Sequence, residues 1–122
     1  IPMSQKKKIL IIDDEKDFCL LLKSYFIKKG CDAFIANSLA EGFAMIKMIH
    51  PDVIFLDNNL PDGYGWDKAD GISEEYPFLK INLISAYKQS TVPVSSSQVT
   101  IWEKPLDRTL LDTYFIQNKL FA

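Results

Sequence analysis

Five polar side chains in this sequence stand where phosphate or metal chemistry would need them. Asp13 and Asp14 follow the apolar run Ile9 to Ile12, and Asp57 follows Val53 to Leu56. Ser85 follows Ile81 to Ile84, which only Asn82 interrupts, and Val99 to Trp102 leads through Glu103 into Lys104 and Pro105. Carboxylates crowded together repel one another unless a hard cation such as Mg²⁺ sits among them. A carboxylate is also a nucleophile for phosphoryl transfer, which needs further positive or hydrogen-bonding groups on the equatorial oxygens. A hydroxyl and an ammonium, as on Ser85 and Lys104, are groups of that kind.

The elements that would position them can be read from the apolar pattern. Short runs rich in Ile and Val, spaced by stretches of helical periodicity, predict a parallel sheet buried on both faces. Ligands bind beyond the carboxyl ends of the strands in such sheets, which is where all five groups fall. Ala33 to Ala36 supplies a short second strand, giving five strands alternating with helices in a doubly wound α/β sandwich. In the first helix Phe18, Leu21, Leu22, Tyr25 and Phe26 form the core-facing stripe, and Gly30 is placed to end it. Ser38 and Glu41 form a capping box for a second helix, whose face of Leu39, Phe43, Ile46 and Ile49 runs until Pro51. A third helix is expected over roughly residues 65–76, with Gly71 weakening it. A last helix follows Pro105, with Leu110, Leu111, Tyr114 and Phe115 facing inward. Residues 87–98 carry Pro93 and the run Ser95, Ser96, Ser97 without a helical repeat, so an irregular connection is expected there.

A chain of 122 residues with 48% apolar composition can bury one core of its own and is too short for two ordinary domains. Residues 1–122 are read as one domain, with 1–7 as a lead-in, Met3 as the natural start and Ile1 and Pro2 as cloning remnants. A net charge of −2 with dispersed lysines gives no basic surface for a nucleic-acid backbone, so direct DNA binding is not expected. Cys19 and Cys31 lack metal-ligand spacing and lie in apolar surroundings, which reads as buried free thiols in a reducing compartment. No apolar stretch approaches the ~18 residues needed to span a bilayer, and no signal-peptide pattern opens the chain, so a cytoplasmic location is expected.

Four segments together resemble the receiver domain of two-component response regulators, the CheY-like family, across nearly the whole chain. They are Ile-Leu-Ile-Ile-Asp-Asp-Glu at 9–15, Pro-Asp-Val-Ile-Phe-Leu-Asp-Asn-Asn-Leu-Pro-Asp-Gly-Tyr-Gly at 51–65, Ile-Ser-Ala at 84–86 and Glu-Lys-Pro-Leu at 103–106. Each alone is weak, and their order within one short chain is highly specific. The resemblance implies a flavodoxin-like three-layer fold with strand order 2-1-3-4-5 and a fourth helix that is short or irregular here. It implies a signalling domain and not an enzyme, taking a phosphoryl group from a histidine kinase or histidine phosphotransfer protein onto Asp57. Mg²⁺, or Mn²⁺, would be held by Asp14 and Asp57 directly, by the backbone carbonyl of Asn59, and by Asp13 through water. Ser85 would bond a phosphoryl oxygen, and Lys104 would pair with another or, before phosphorylation, with Asp57. A cis bond before Pro105 is common in the family. An output domain or downstream protein, and dimerisation on activation, are further partners of that kind.

Two departures from the family pattern stand out. Receivers usually carry Tyr or Phe three residues before the lysine, an aromatic that reorients on activation, and Ile101 occupies that place. Trp102 is adjacent, but a shift of one residue turns a strand side chain to the opposite face. The segment between Ser85 and Lys104 is also shorter than usual, which suggests signalling through rearrangement of residues 87–98. Other candidates take ordinary roles: His50 as a helix-end residue, Trp66 as a helix surface or packing residue, and Lys6 to Lys8 as a solvated lead-in. A phosphatase of the haloacid dehalogenase type would need an acid two residues after its nucleophile, where Asn59 stands. A nucleotide- or flavin-binding module would need a glycine-rich loop after the first strand, and none follows it. The remaining alternative is a receiver-like interaction domain that no longer depends on phosphorylation.

Overall fold

The computed structural model of the chain describes residues 5–86 and 98–122. In chain order it comprises β1 (Lys8–Ile12), α1 (Lys16–Lys28), β2 (Asp32–Ala36), α2 (Leu39–Ile49) and β3 (Val53–Asp57). A two-residue hairpin of β4 (Asn59–Leu60) and β5 (Gly63–Tyr64) follows, then a 3-10 turn over Gly65–Lys68 and α3 (Ala69–Glu75). The chain continues through β6 (Lys80–Ser85), β7 (Val99–Glu103) and α4 (Arg108–Gln117).

The main sheet has the order β2-β1-β3-β6-β7 with every neighbouring pair parallel. With the hairpin set aside, this is the expected order 2-1-3-4-5. Side chains alternate between two apolar layers, as a sheet covered on both faces requires. Ile9, Ile11, Val53, Phe55 and Ile84 pack with α1 and α4, while Leu10, Ile12, Ile54, Leu56, Ile81 and Leu83 pack with α2 and α3. The result is a doubly wound, flavodoxin-like three-layer sandwich. The expected irregular fourth helix falls on residues 87–97, outside the described residues.

Register aligns the strand ends. Ile12 lies opposite Leu56, Asp57 opposite Ile84 and Ser85 opposite Glu103, so the residues that follow these strands share one edge of the sheet. The peptide bond between Lys104 and Pro105 is cis.

The helices correct several details of the sequence reading. In α1 the buried residues are Cys19, Leu22 and Phe26, whereas Leu21 is 74% exposed. In α4 Leu111, Tyr114 and Phe115 are buried and Leu110 is 58% exposed. Both errors arise in adjacent leucines, of which packing against the sheet turns only Leu22 and Leu111 inward. Gly30, at φ 90°, turns the chain after α1 as expected. The Ser38 hydroxyl accepts from the Glu41 N–H at 3.2 Å, but the Glu41 carboxylate accepts from Asn37 N–H instead of closing the box on Ser38. His50 ends α2 in the left-handed conformation. The third helix begins as a 3-10 turn, and Lys8 belongs to β1, its ammonium donating to the Ile49 carbonyl. Cys19 and Cys31 are free and buried. Among the described residues no helix is long and apolar enough to cross a membrane.

Candidate functional site

Asp13 is the residue at which β1 delivers its first polar group to the sheet edge, and it is fully buried. Its N–H donates to the Ala36 carbonyl, its Oδ1 accepts from the Glu15 N–H at 2.9 Å, and its carbonyl accepts from the Asn37 carboxamide at 2.9 Å. This bonding fixes the carboxylate beside the next strand but one, β3, whose last residue is Asp57. Asp57 is 6% exposed, and exposed Asp14 completes a triad whose carboxylate oxygens, one from each residue, lie within 4.8 Å of one another.

Burial and the Asp13 charge push the Asp57 carboxyl up from 3.8 to about 6, against the pull of Lys104 and of the Asn59 backbone N–H, which bonds to it. Lys104 arrives from the end of β7. Its ammonium stands 2.9 Å from Asp13 Oδ2, 3.1 Å from Glu15 Oε2 and 3.8 Å from Asp57 Oδ1. Burial works against that charge, yet the close Asp13 and Glu15 carboxylates outweigh it and raise the lysine above its ordinary value. The contact with Asp13 is an ion pair without aligned hydrogen-bond geometry, so the buried Oδ2 has no oriented donor. An oxygen so placed, within a set of hard carboxylate donors, fits a divalent cation of the Mg²⁺ type.

Ser85 is 6% exposed at the end of β6, beside β3, and its carbonyl accepts from the Lys104 N–H at 2.9 Å. Asn59 opens β4 on the same edge. The structure thus gathers Asp13, Asp14, Asp57, Asn59, Ser85 and Lys104 at one end of the sheet. The loop that carries Asn59 is tightly held. Gly65 donates to the Asn58 carbonyl at 2.9 Å, and a Cβ on Gly65 would lie 2.0 Å from the Asp57 carbonyl oxygen, so only glycine fits. The Asp62 carboxylate reaches across to the Leu39 and Ala40 N–H groups at 2.8 and 2.9 Å, capping α2 and lowering its own pKa.

Ile101 and Trp102 lie on opposite faces of β7, which pairs with β6 without a bulge. Ile101 is 36% exposed, while Trp102 is buried against Phe55 and Tyr114. The Trp102 indole donates to Asn82 Oδ1 at 2.8 Å, and the Asn82 carboxamide reaches the Tyr114 hydroxyl at 2.9 Å and the Ile54 carbonyl at 3.1 Å. Trp102 therefore does not occupy the aromatic position that Ile101 vacates.

Sequence reasoning missed two neighbours of Lys104. In the sequence Glu15 stands as the third acid of the first motif without a role, and Phe18 reads as a packing residue alone. The Lys104 ammonium lies 4.4 Å from the centre of the Phe18 ring. An acid and an aromatic on the first turn after a strand end were the available signal, but nothing local links them to a lysine so far along the chain.

The chain matches the response regulator receiver domain model over residues 9–113. It is 29% identical to the transcriptional regulatory protein YxdJ of Bacillus subtilis, over 80% of this chain and 44% of that protein. It is 25% identical to the photosynthetic apparatus regulatory protein RegA of Rhodovulum sulfidophilum, over 95% of this chain and 65% of that protein. It therefore spans between about half and two thirds of the length of these relatives. Among solved structures, a two-component response regulator from Clostridium difficile superposes with a TM-score of 0.76 at 27% identity, over 94% of this chain and 95% of that one. With its strand order, its acid-rich edge and a family match across most of its length, the chain belongs to the response regulator receiver domains of two-component systems.

Proposed function

We propose that the chain is a single receiver domain that takes a phosphoryl group onto Asp57 from the phosphohistidine of a histidine kinase or phosphotransfer protein. The observation that carries this reading is the meeting of Asp13, Asp14 and Asp57 within 4.8 Å, with the Lys104 ammonium among them. A divalent cation, Mg²⁺ or Mn²⁺, would be held by Asp14, Asp57 and the Asn59 carbonyl, with Asp13 acting through water. When bound, it supplies positive charge to the phosphoryl oxygens and screens the three acids from one another.

An Asp57 carboxylate oxygen attacks phosphorus, the bond from phosphorus to the imidazole nitrogen breaks, and its electron pair stays on that nitrogen, the imidazole leaving neutral because its other ring nitrogen already carries a proton. Ionised Asp57 is the nucleophile, so a carboxyl raised to about 6 is mostly ready above that pH. Ser85 donates its hydroxyl to one phosphoryl oxygen. Lys104 turns its ammonium from the acids toward another, which offsets charge left on the group after transfer. The acyl phosphate then biases the domain between two conformations, and an effector reads the difference. The kinase and that effector, an attached output domain or a separate protein, are partners of a signalling domain working in the cytoplasm.

Intact-mass spectrometry after incubation with Mg²⁺ and acetyl phosphate tests the reading. One phosphoryl adduct that requires the metal and disappears in Asp57→Asn is the expected result. No adduct, together with no binding of beryllofluoride, would replace the reading with a phosphorylation-independent interaction domain.

A further inference from the structure

We infer that Phe18 is a positioning residue for Lys104, its ring face holding the ammonium at the phosphorylation site when the neighbouring acids are otherwise engaged; this rests on the function proposed above. Among the described residues Lys104 meets four groups: the carboxylates of Asp13, Glu15 and Asp57, and the Phe18 ring at 4.4 Å. The three carboxylates are unequal as lasting anchors. Asp13 and Asp57 belong to the acid cluster that a divalent cation would share, and an ammonium loses its attraction to acids already neutralised. Glu15 has a side chain 60% exposed, where an ion pair is weak and screened by salt.

The ring differs from all three. Its attraction for a cation needs no ionised partner and does not compete for metal. The lysine side chain is only 14% exposed, which strengthens that attraction by removing water. Phe18 is itself fixed, half-buried and packed against the core beneath α1 together with Leu106, which follows Lys104 closely in the chain. The seat thus holds the ammonium near Asp57 without neutralising the charge that the phosphoryl oxygens must meet.

The test compares Phe18→Leu and Phe18→Tyr with the wild type, each also in a Lys104→Met background. In the metal-free wild type, the Lys104 ε-methylene proton resonance should be shifted upfield by the ring, retain that shift in Phe18→Tyr and lose it in Phe18→Leu. With Mg²⁺ and acetyl phosphate, Phe18→Leu should slow phosphorylation of Asp57 about three- to tenfold, with Phe18→Tyr within about twofold of the wild type. Mg²⁺ affinity, followed by amide shifts of the acid cluster, should stay within about twofold in both. In the Lys104→Met background Phe18→Leu should add no further loss, a coupling that a purely structural role would not produce. An unchanged rate in Phe18→Leu, or an equal slowing with and without Lys104, would overturn the inference while leaving the receiver reading intact. A wild type that takes no phosphoryl group, with the ring shift present, would instead remove that reading and with it the reaction that Phe18 serves.

Discussion

The two faces of the sheet bury comparable apolar layers and are held in different ways. Beneath α1 and α4 a polar cluster runs through the core, where Asn82 joins the Trp102 indole, the Tyr114 hydroxyl and the Ile54 carbonyl. Beneath α2 and α3 the packed cluster is built of apolar side chains, and the buried Trp66 indole nitrogen and Ser73 hydroxyl beside it make no hydrogen bond among the described residues. There, position comes from the backbone and from one edge contact, through the close approach at Gly65 and the Asp62 cap on α2. An apolar layer tolerates small shifts in packing, whereas a buried polar cluster has one arrangement that satisfies every donor. The face that delivers Lys104 is therefore the more narrowly specified, and the face beside the loop of Asn59 depends on a few backbone approaches.

Asn82→Ala should break the comparison most severely. It leaves the Trp102 indole N–H without its acceptor and the Tyr114 hydroxyl without the donor that reaches it, both buried, and should cost about 3 kcal/mol or more, read from urea denaturation. Replacing the whole cluster, with Asn82→Leu, Trp102→Phe and Tyr114→Phe together, should cost much less than that single change, because no orphaned donor remains. Equal losses in the two proteins would show that packing, not hydrogen bonding, specifies this face.

Asp57→Asn acts between the two faces and in the opposite direction. A carboxyl that titrates at 3.8 unfolded and about 6 folded binds its proton more tightly in the native state. Its stabilising contribution is complete below 3.8 and is lost as pH rises through about 6. In metal-free protein Asp57→Asn should raise stability at neutral pH by up to about 3 kcal/mol and flatten the stability profile across that window. An unaltered profile would assign the pH dependence to other groups.

Gly65→Ala forces a Cβ onto the Asp57 carbonyl and should cost about 2 kcal/mol by thermal denaturation. It should also slow acetyl phosphate transfer, since the loop that follows the nucleophile must move. The smallest effect is expected for Asp62→Ala, which should leave global stability nearly unchanged while speeding hydrogen exchange at the Leu39 and Ala40 amides. Were exchange there unaltered, the cap would have no part in holding the α2 face.

The strands and the site were largely legible because both are written locally. An apolar run ending in an acid, hydroxyl or lysine identifies a strand and its chemistry together, and parallel pairing brings those ends to one edge. Helix rotation was less legible. Leu21 and Leu110 are as apolar as Leu22 and Leu111, and only packing against the sheet decides which turns inward. Asn82 read as an interruption of its strand because its three partners come from β3, β7 and α4. Glu15, Phe18 and Asp62 act on groups remote in sequence, so their roles follow from how helices and loops cross the sheet edge.

The aligned strand ends also bear on the order in which a nascent chain acquires its charges. Asp13, Asp14 and Asp57 can assemble once β1 and β3 have left the ribosome, before Lys104 emerges. Until β7 docks, the growing fold carries a cluster of acids without the ammonium that later sits among them. Final closure of the sheet therefore adds a counter-charge as well as apolar contacts, which favours completion over any assembly that stops at β6.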